Sequence, residues 1–233
     1  MEDARNVSKV VELPAKAKSV SQSAKSADKR SAIMRAAIEI INEKSFALAT
    51  MTEIAASLGM RDAALYYYFP TKQALVQACH VRSLERFERL LGDADVAGVS
   101  GAARLETFLQ MMLDDSHLNG PQLYFGDHSY LADDERKAID EWAARLTVIL
   151  EQFLKDGIDD GSIVPCETQL VVQLLLGMII WLGKWVPSVE GLTVERLMGA
   201  IGAFSLHGLE KRAGAEDYST LSDARTGCAG KLA

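Results

Sequence analysis

Cysteine, proline and long apolar runs are scarce in this chain of 233 residues. Its three cysteines, Cys79, Cys166 and Cys228, are odd in number and far apart. They frame neither a disulfide scaffold nor a metal site, and they fit a reducing compartment. Only five prolines interrupt the chain, and no stretch alternates apolar and polar residues with the period of a strand. Both point to an all-α fold. The N-terminus lacks the apolar core of a secretory leader, so a cytoplasmic protein is expected. The most apolar stretch, residues 170–186, is short for a membrane span of about 20 residues. Gln173, Gly177, Gly183 and Lys184 also break it up. There is no Walker loop, nucleophile elbow or HExxH motif. Asp114 and His117 have the spacing of two ligands on one helix face, but a di-metal bundle needs a second such pair, and none is present. The chain is therefore expected to be no enzyme, with no catalytic residue, metal or cofactor.

The formal net charge is −7. It is unevenly spread. Residues 1–30 hold seven basic and four acidic side chains, residues 31–75 hold four of each, and residues 76–233 hold fourteen basic and twenty-four acidic. The acidic excess lies in the C-terminal part, which leaves the N-terminal part able to approach a polyanion.

Residues 50–75 read as two short helices and the start of a third. Thr50 and Thr52 are candidate caps, and Glu53 suits the first turn. Ile54, Ala55 and Leu58 share one face, and Gly59 is placed to end the helix in a left-handed conformation. A second helix is predicted over 62–69, with Leu65 and Tyr68 or Phe69 facing inward and Tyr66 and Tyr67 facing elsewhere. Pro70 stops it, and Thr71 caps the next helix. Helix, tight turn, helix is the arrangement whose second helix enters a DNA major groove.

Upstream, residues 28–44 carry a stripe of Ile33, Ala37, Ile40 and Ile41, and Phe46 and Leu48 plug the following loop. Residues 1–27 have no lasting period and are expected to be a disordered basic arm. Lys16, Lys18, Lys25, Lys29 and Arg30 there suit phosphate or minor-groove contacts, or simply a solubilising tail. Downstream, a helix over 72–91 has Leu75, Cys79, Leu84, Phe87 and Leu91 inside, and Arg82, Glu85, Arg86 and Glu88 on its wet face. A boundary loop follows over 92–101. Further helices are predicted over 103–117, 133–156, 169–186 and 194–209, with a short broken aromatic helix over 121–130. The domains expected are the arm at 1–27, a helix-turn-helix domain at 28–75, a helical effector-binding and dimerisation domain at 76–211, and a flexible tail at 212–233.

From Arg30 to Leu75, the segments AAIEIINEKSF, EIAASLGM and LYYYFPTKQAL resemble the TetR family of bacterial transcriptional regulators. Arg61 stands where that family commonly has serine, and Ala63 and Ser45 where it commonly has glycine. The resemblance implies a homodimeric, ligand-responsive regulator, a repressor in most readings, that binds a palindromic double-stranded operator. It implies that Arg61, Asp62, Ala63 and Tyr67 face bases, and that Thr50, Thr52, Tyr66 and Lys72 hold phosphates. It also implies a dimer interface built from residues 170–186 and 194–209. The alternative is a helical ligand-binding protein that keeps the head as a scaffold and has no transcriptional role.

Methionines and aromatics in the C-terminal part suit an apolar effector as well as a plain core. The candidates are Phe108, Met112, Tyr124, Phe125, Trp142, Met178 and Trp181, with His117 and His128 as polar anchors. The stretch from Trp181 through Trp185 to Pro187 is similar to a region of TetR regulators that respond to acyl-CoA thioesters. That likeness implies an acyl-CoA or another hydrophobic ligand, with Lys184 as a candidate for its charged group.

Overall fold

The hydroxyls of Thr50, Thr71, Ser100 and Thr193 cap four helix starts, and Gly98 and Gly120 close two helix ends. In the computed structural model, residues 16–123, 130–186 and 189–206 are described. Their elements are α1 (Lys16–Lys44), α2 (Met51–Ser57), α3 (Asp62–Tyr68), α4 (Lys72–Ala97), α5 (Gly101–Asn119), α6 (Asp133–Asp159), α7 (Thr168–Trp185) and α8 (Val194–Ile201). A π-helical turn, Gly202–Leu206, follows α8. No strand occurs among the described residues, and no helix among them is long and apolar enough to cross a membrane.

Two apolar cores form. The head core joins Ile33, Ala37, Ile38 and Ile41 of α1 to Ile54, Leu65, Phe69, Leu75 and Cys79. The larger core joins α4, α5, α6, α7 and α8 around Leu91, Phe108, Leu150, Phe153 and Val172. α4 contributes to both cores. Leu123, from the segment after α5, is buried in the head core, and Tyr130 packs against both.

Several expected boundaries move. α1 begins at Lys16, not near Asp28, so residues 16–27 of the expected disordered arm are helical. That run is free of Gly and Pro and rich in Lys, Ser, Ala and Gln, which allow helix without the apolar stripe a periodicity search needs. Residues 1–15 and 207–233, with the proposed tail, lie outside the described residues. α4 runs through Gly92 to Ala97, so the boundary loop shrinks to residues 98–100. Buried Ala94 draws that last turn into the core. Residues 121–123 are not helical, and residues 124–129 lie outside the described residues. Leu48 does not plug its loop; it is 69% exposed. Phe46 does, stacked on Tyr130 with ring centroids 3.5 Å apart.

Arg86 departs most from expectation. It lies on the buried side of α4, with 8% exposure, and not on the wet face. Its Nε donates to Asp115 Oδ2 at 2.8 Å. Its other nitrogens donate to the carbonyls of Asp115, Gly120 and Pro121 at 3.2, 2.9 and 3.4 Å. Arg89 and Asn119 donate to Asp115 Oδ1 at 3.2 and 2.8 Å. Burial would push the Asp115 carboxyl up, but the Arg86 charge and the donors from Asn119, Arg86 and Arg89 outweigh it and hold it below its ordinary value of 3.8. The spacing of Ser83, Arg86 and Leu90 continues the buried stripe, so a charged residue on it has to be neutralised inside.

Removing one partner of this pair strands the other. Asp115→Ala is expected to lower stability by about 3–5 kcal/mol in urea unfolding. A carboxyl depressed by folding stabilises above its unfolded pKa and loses that contribution as pH falls through the lower folded pKa. Wild type should therefore lose stability below about pH 4, and Asp115→Asn should lose less over the same window. Equal slopes in the two proteins would show that Asp115 is not the group responsible.

Candidate nucleic-acid interface and effector cavity

α2 and α3 are fixed by local chemistry before any partner is considered. Thr50 Oγ1 accepts from the Glu53 backbone N–H at 3.1 Å, and the Glu53 carboxylate accepts from the Thr50 N–H at 3.1 Å. This reciprocal box satisfies two donors at the start of α2. Lys44 donates to the Glu53 carboxylate at 2.8 Å, and these contacts, with the Lys44 bond first, hold that carboxyl below its usual range. Gly59, at φ +61°, makes the sharp exit from α2. Thr52 Oγ1 donates to Asp62 Oδ2 at 2.6 Å and so ties α2 to the first turn of α3. Thr71 Oγ1 then accepts from Ala74 N–H at 3.0 Å and starts α4.

α3 is anchored by Leu65 and, just past its end, Phe69, both fully buried. Arg30 clamps that end. It donates to the Tyr68 carbonyl at 2.6 Å, and its guanidinium lies 4.2 Å from the Phe69 ring centre. The opposite face presents Arg61, Asp62, Ala63, Ala64, Tyr66 and Tyr67 to solvent. Tyr67 is 84% exposed. Its ring meets Tyr68 edge-on at 5.3 Å between centroids. Thr50 and Thr52 are exposed beside this face. Lys72 is half-buried: its ammonium donates to the Phe46 carbonyl and sits 4.0 Å above the Phe46 ring. Desolvation lowers its pKa. The eight residues expected at DNA thus lie on α2, α3 and the helix starts beside them, with Lys72 turned partly toward the loop that holds Phe46.

Ser45 has φ +80°, a conformation that glycine adopts at least cost. It is the position where the family pattern commonly has glycine.

At the other end of the chain's course, a cleft of about 580 Å³ opens between α5, α7 and α8. Its walls are mostly apolar, with Met112, Leu113, Ile179, Leu182 and Leu197 among them. Asp114, His117, Gln122 and Glu195 are its titratable or strongly polar members. The Glu195 carboxyl is held low by its own backbone N–H and the Thr193 hydroxyl, with a smaller contribution from His117.

Of the nine effector candidates, the structure brings Met112 and His117 to this cleft. Phe108 is buried edge-on against Phe87, 5.0 Å between centroids. Trp142 and Met178 pack against the core. Trp181 points outward and is 63% exposed. Tyr124, Phe125 and His128 lie outside the described residues, as does the Lys184 side chain. The lining from Leu109, Ile179, Leu182, Leu197 and Ile201 was not singled out from sequence, because aliphatic residues at helical spacing look the same in a core and in a cavity wall. Gln122 carried no signal: it sits in a short irregular segment.

That segment links the cleft to the head. The Gln122 carbonyl accepts from Asn42 Nδ2 of α1 at 3.1 Å, and the Leu118 carbonyl accepts from Arg35 of α1 at 3.1 Å. Ser83 Oγ of α4 accepts from the Leu123 N–H at 2.8 Å. Gly120, at φ +80°, lies so close to Arg35 that a Cβ there would collide with it.

The pattern described as "Bacterial regulatory proteins, tetR family" matches residues 33–79. The pattern described as "Tetracyclin repressor-like, C-terminal domain" matches residues 98–209. No curated protein matches the sequence. Among solved structures, the fold is similar to the TetR family transcriptional regulator PfmR from Thermus thermophilus. That match has 21% identity and a TM-score of 0.63, and covers 77% of this chain and 99% of that one. It is also similar to the ketosteroid transcriptional regulator KstR2 of Mycobacterium tuberculosis, with 19% identity, a TM-score of 0.68, and 79% and 96% covered. A third similar structure is AibR in complex with isovaleryl coenzyme A and operator DNA, with 24% identity, a TM-score of 0.61, and 75% and 97% covered. At such identities the structures speak for the fold alone. The two sequence patterns together span most of the chain, one on the head and one on the C-terminal helices, and the chain belongs to the TetR family of bacterial regulatory proteins.

Proposed function

We propose that the chain is a cytoplasmic, dimeric, ligand-responsive repressor that binds a palindromic operator through α3 and is released from it by a small apolar effector. The observation that carries this reading is a single molecule holding an exposed α3, tied down by the Thr52–Asp62 and Arg30–Tyr68 bonds, and an apolar cleft, joined by residues 118–123. Tyr67, Arg61, Asp62 and Ala63 face bases, and Thr50, Thr52, Tyr66 and Lys72 position the backbone. An ammonium has three donors, so the bond to Phe46 leaves two for a phosphate.

The partner subunit docks on α7. Leu170, Leu174, Gly177 and Trp181 fall on one face of it at helical spacing. Leu174 is 74% exposed, and nothing lies within 4 Å of a Cβ built on Gly177. Apolar exposure of this extent favours a partner, and a two-fold axis would set two heads on half-sites about one DNA turn apart or a multiple of it. The acyl-CoA class rests on the Trp181 to Pro187 stretch and on the likeness to AibR. Neither Trp181 nor Trp185 lines the cleft, so its walls favour a compact apolar occupant.

The direct experiment is a mobility-shift assay with genomic fragments that include the DNA upstream of the chain's own gene. A specific shift that survives competitor DNA is expected. A folded dimer that shifts no fragment would remove the DNA-binding reading and leave the scaffold alternative. Within a positive assay, Tyr67→Ala should cost about 1–3 kcal/mol of operator binding with an unchanged circular dichroism spectrum. Lys72→Ala should lower the salt slope by about 1. An identical slope would take Lys72 out of the phosphate contacts. Leu174→Asp should give a monomer in light scattering; a dimer that tolerates this charge would place the interface elsewhere.

A further inference from the structure

We infer that Gln122 selects the ligand of the cleft, accepting a hydrogen bond from an uncharged donor, a hydroxyl or an amide N–H, carried on an otherwise apolar molecule. This rests on the reading of the cleft as the effector site.

Gln122 lines the cleft and is 1% exposed. The orientation of its carboxamide is set from behind. Nε2 donates to Asp115 Oδ2 at 3.4 Å and points at the Met112 sulfur at 3.7 Å. Turning the amide over would set a carbonyl oxygen against that carboxylate, which the Arg86 contact keeps charged. The oxygen, Oε1, is therefore held on the side away from Asp115, itself buried in the wall of the cleft, where a donor has to press in to reach it. Among the described residues no donor reaches it. Buried carboxamide oxygens are nearly always paired, and one that is not pairs with whatever enters beside it. The backbone of the same residue is held too, by Asn42, so the acceptor is preorganised and does not have to be collected from solvent when a ligand arrives.

The charges around the cleft decide which kind of polar group fits. Asp114 and Glu195 line it, and Asp115 stands behind Gln122. No Lys or Arg is among the described lining residues, and His117 is exposed. A carboxylate or phosphate would meet the Asp114 and Glu195 carboxylates and could not donate to Oε1. An ether or ester would be tolerated by the walls but would leave Oε1 unpaired. An alcohol or an amide satisfies both conditions.

The test uses the full chain and three probes of one length: 1-decanol, methyl nonyl ether and decanoate, measured by calorimetry at neutral pH below their solubility limits. Wild type should bind the alcohol about tenfold more tightly than either of the others. Gln122→Met, which keeps the volume and removes the acceptor, should level alcohol and ether. Val194→Trp, which fills the cleft from α8, should weaken all three. Equal affinity of wild type for alcohol and ether, with both weakened by Val194→Trp, would overturn the role of Gln122 and leave the cleft as the binding site. No binding of any probe, or binding that Val194→Trp does not touch, would overturn the effector reading of the cleft and this inference with it. The wild-type comparison decides the question even if Gln122→Met does not fold.

Discussion

A buried guanidinium has to be satisfied on every side, and Arg86 organises its surroundings by that demand. It lies within the stripe of α4 that faces the protein, so its charge is matched inside by Asp115 of α5. One carboxylate does not use all its donors. The rest go to the carbonyls of Asp115, Gly120 and Pro121, which turns the end of α5 back across α4 and lays residues 120–123 along it. From there the path is forced: Leu123 drops into the head core, Ser83 takes its N–H, and Gln122 is set between the cleft and α1. Replacing the pair with apolar side chains of similar volume would keep the packing but lose the direction in which those carbonyls are pulled.

The head is held by a different kind of constraint. α2 and α3 have seven residues each, too short to persist alone. Side-chain caps at Thr50 and Thr71 and the bridge from Thr52 to Asp62 supply local order. Leu65 and Phe69 supply the burial. The contacts that set α3 against α1 run through Leu65, Phe69 and, at the C-terminal end of the helix, Arg30, so the exposed residues of α3 carry no structural duty except Asp62. A surface free of that duty is free to vary with the partner, which fits the unusual Arg61 and Ala63 on it.

What could be read from the sequence follows the same division. The head was legible almost residue by residue, because caps, Gly59, Pro70 and a short apolar period are local signals, and the structure places them as the pattern predicts. The long helices were legible in number and, apart from Arg86, largely in face, but not in extent. α1 continues to Lys16 on propensity alone, and α4 continues past Gly92 because Ala94 is buried. The cleft was nearly illegible. Aromatics and methionines drew attention, yet Phe108, Trp142 and Met178 pack in the core, and aliphatic residues form most of the wall. Arg86 could have been found, since Ser83, Arg86 and Leu90 share the inner stripe. Gln122 could not, because its role depends on Asp115 and Asn42, seven residues before it and eighty before it, respectively.

If α3 binds DNA and the cleft binds an effector, as proposed, the two still have to communicate. An occupant changes operator affinity only by binding two arrangements of the chain unequally. Most of the cleft wall belongs to α5, α7 and α8, which share one core and would respond together. Pro121 and Gln122 are the exception: they line the cleft, yet their neighbours Leu118 and Leu123 and the Gln122 carbonyl are bonded to α1 and α4. A ligand that pulls on the Gln122 side chain therefore acts on the same residue that Asn42 holds from the head. Its differential affinity is set by how well the Asn42 and Arg86 bonds survive that pull. On the proposed reading, a ligand that fills the apolar part without engaging Gln122 would bind and leave the head where it was, so affinity and release would be separable.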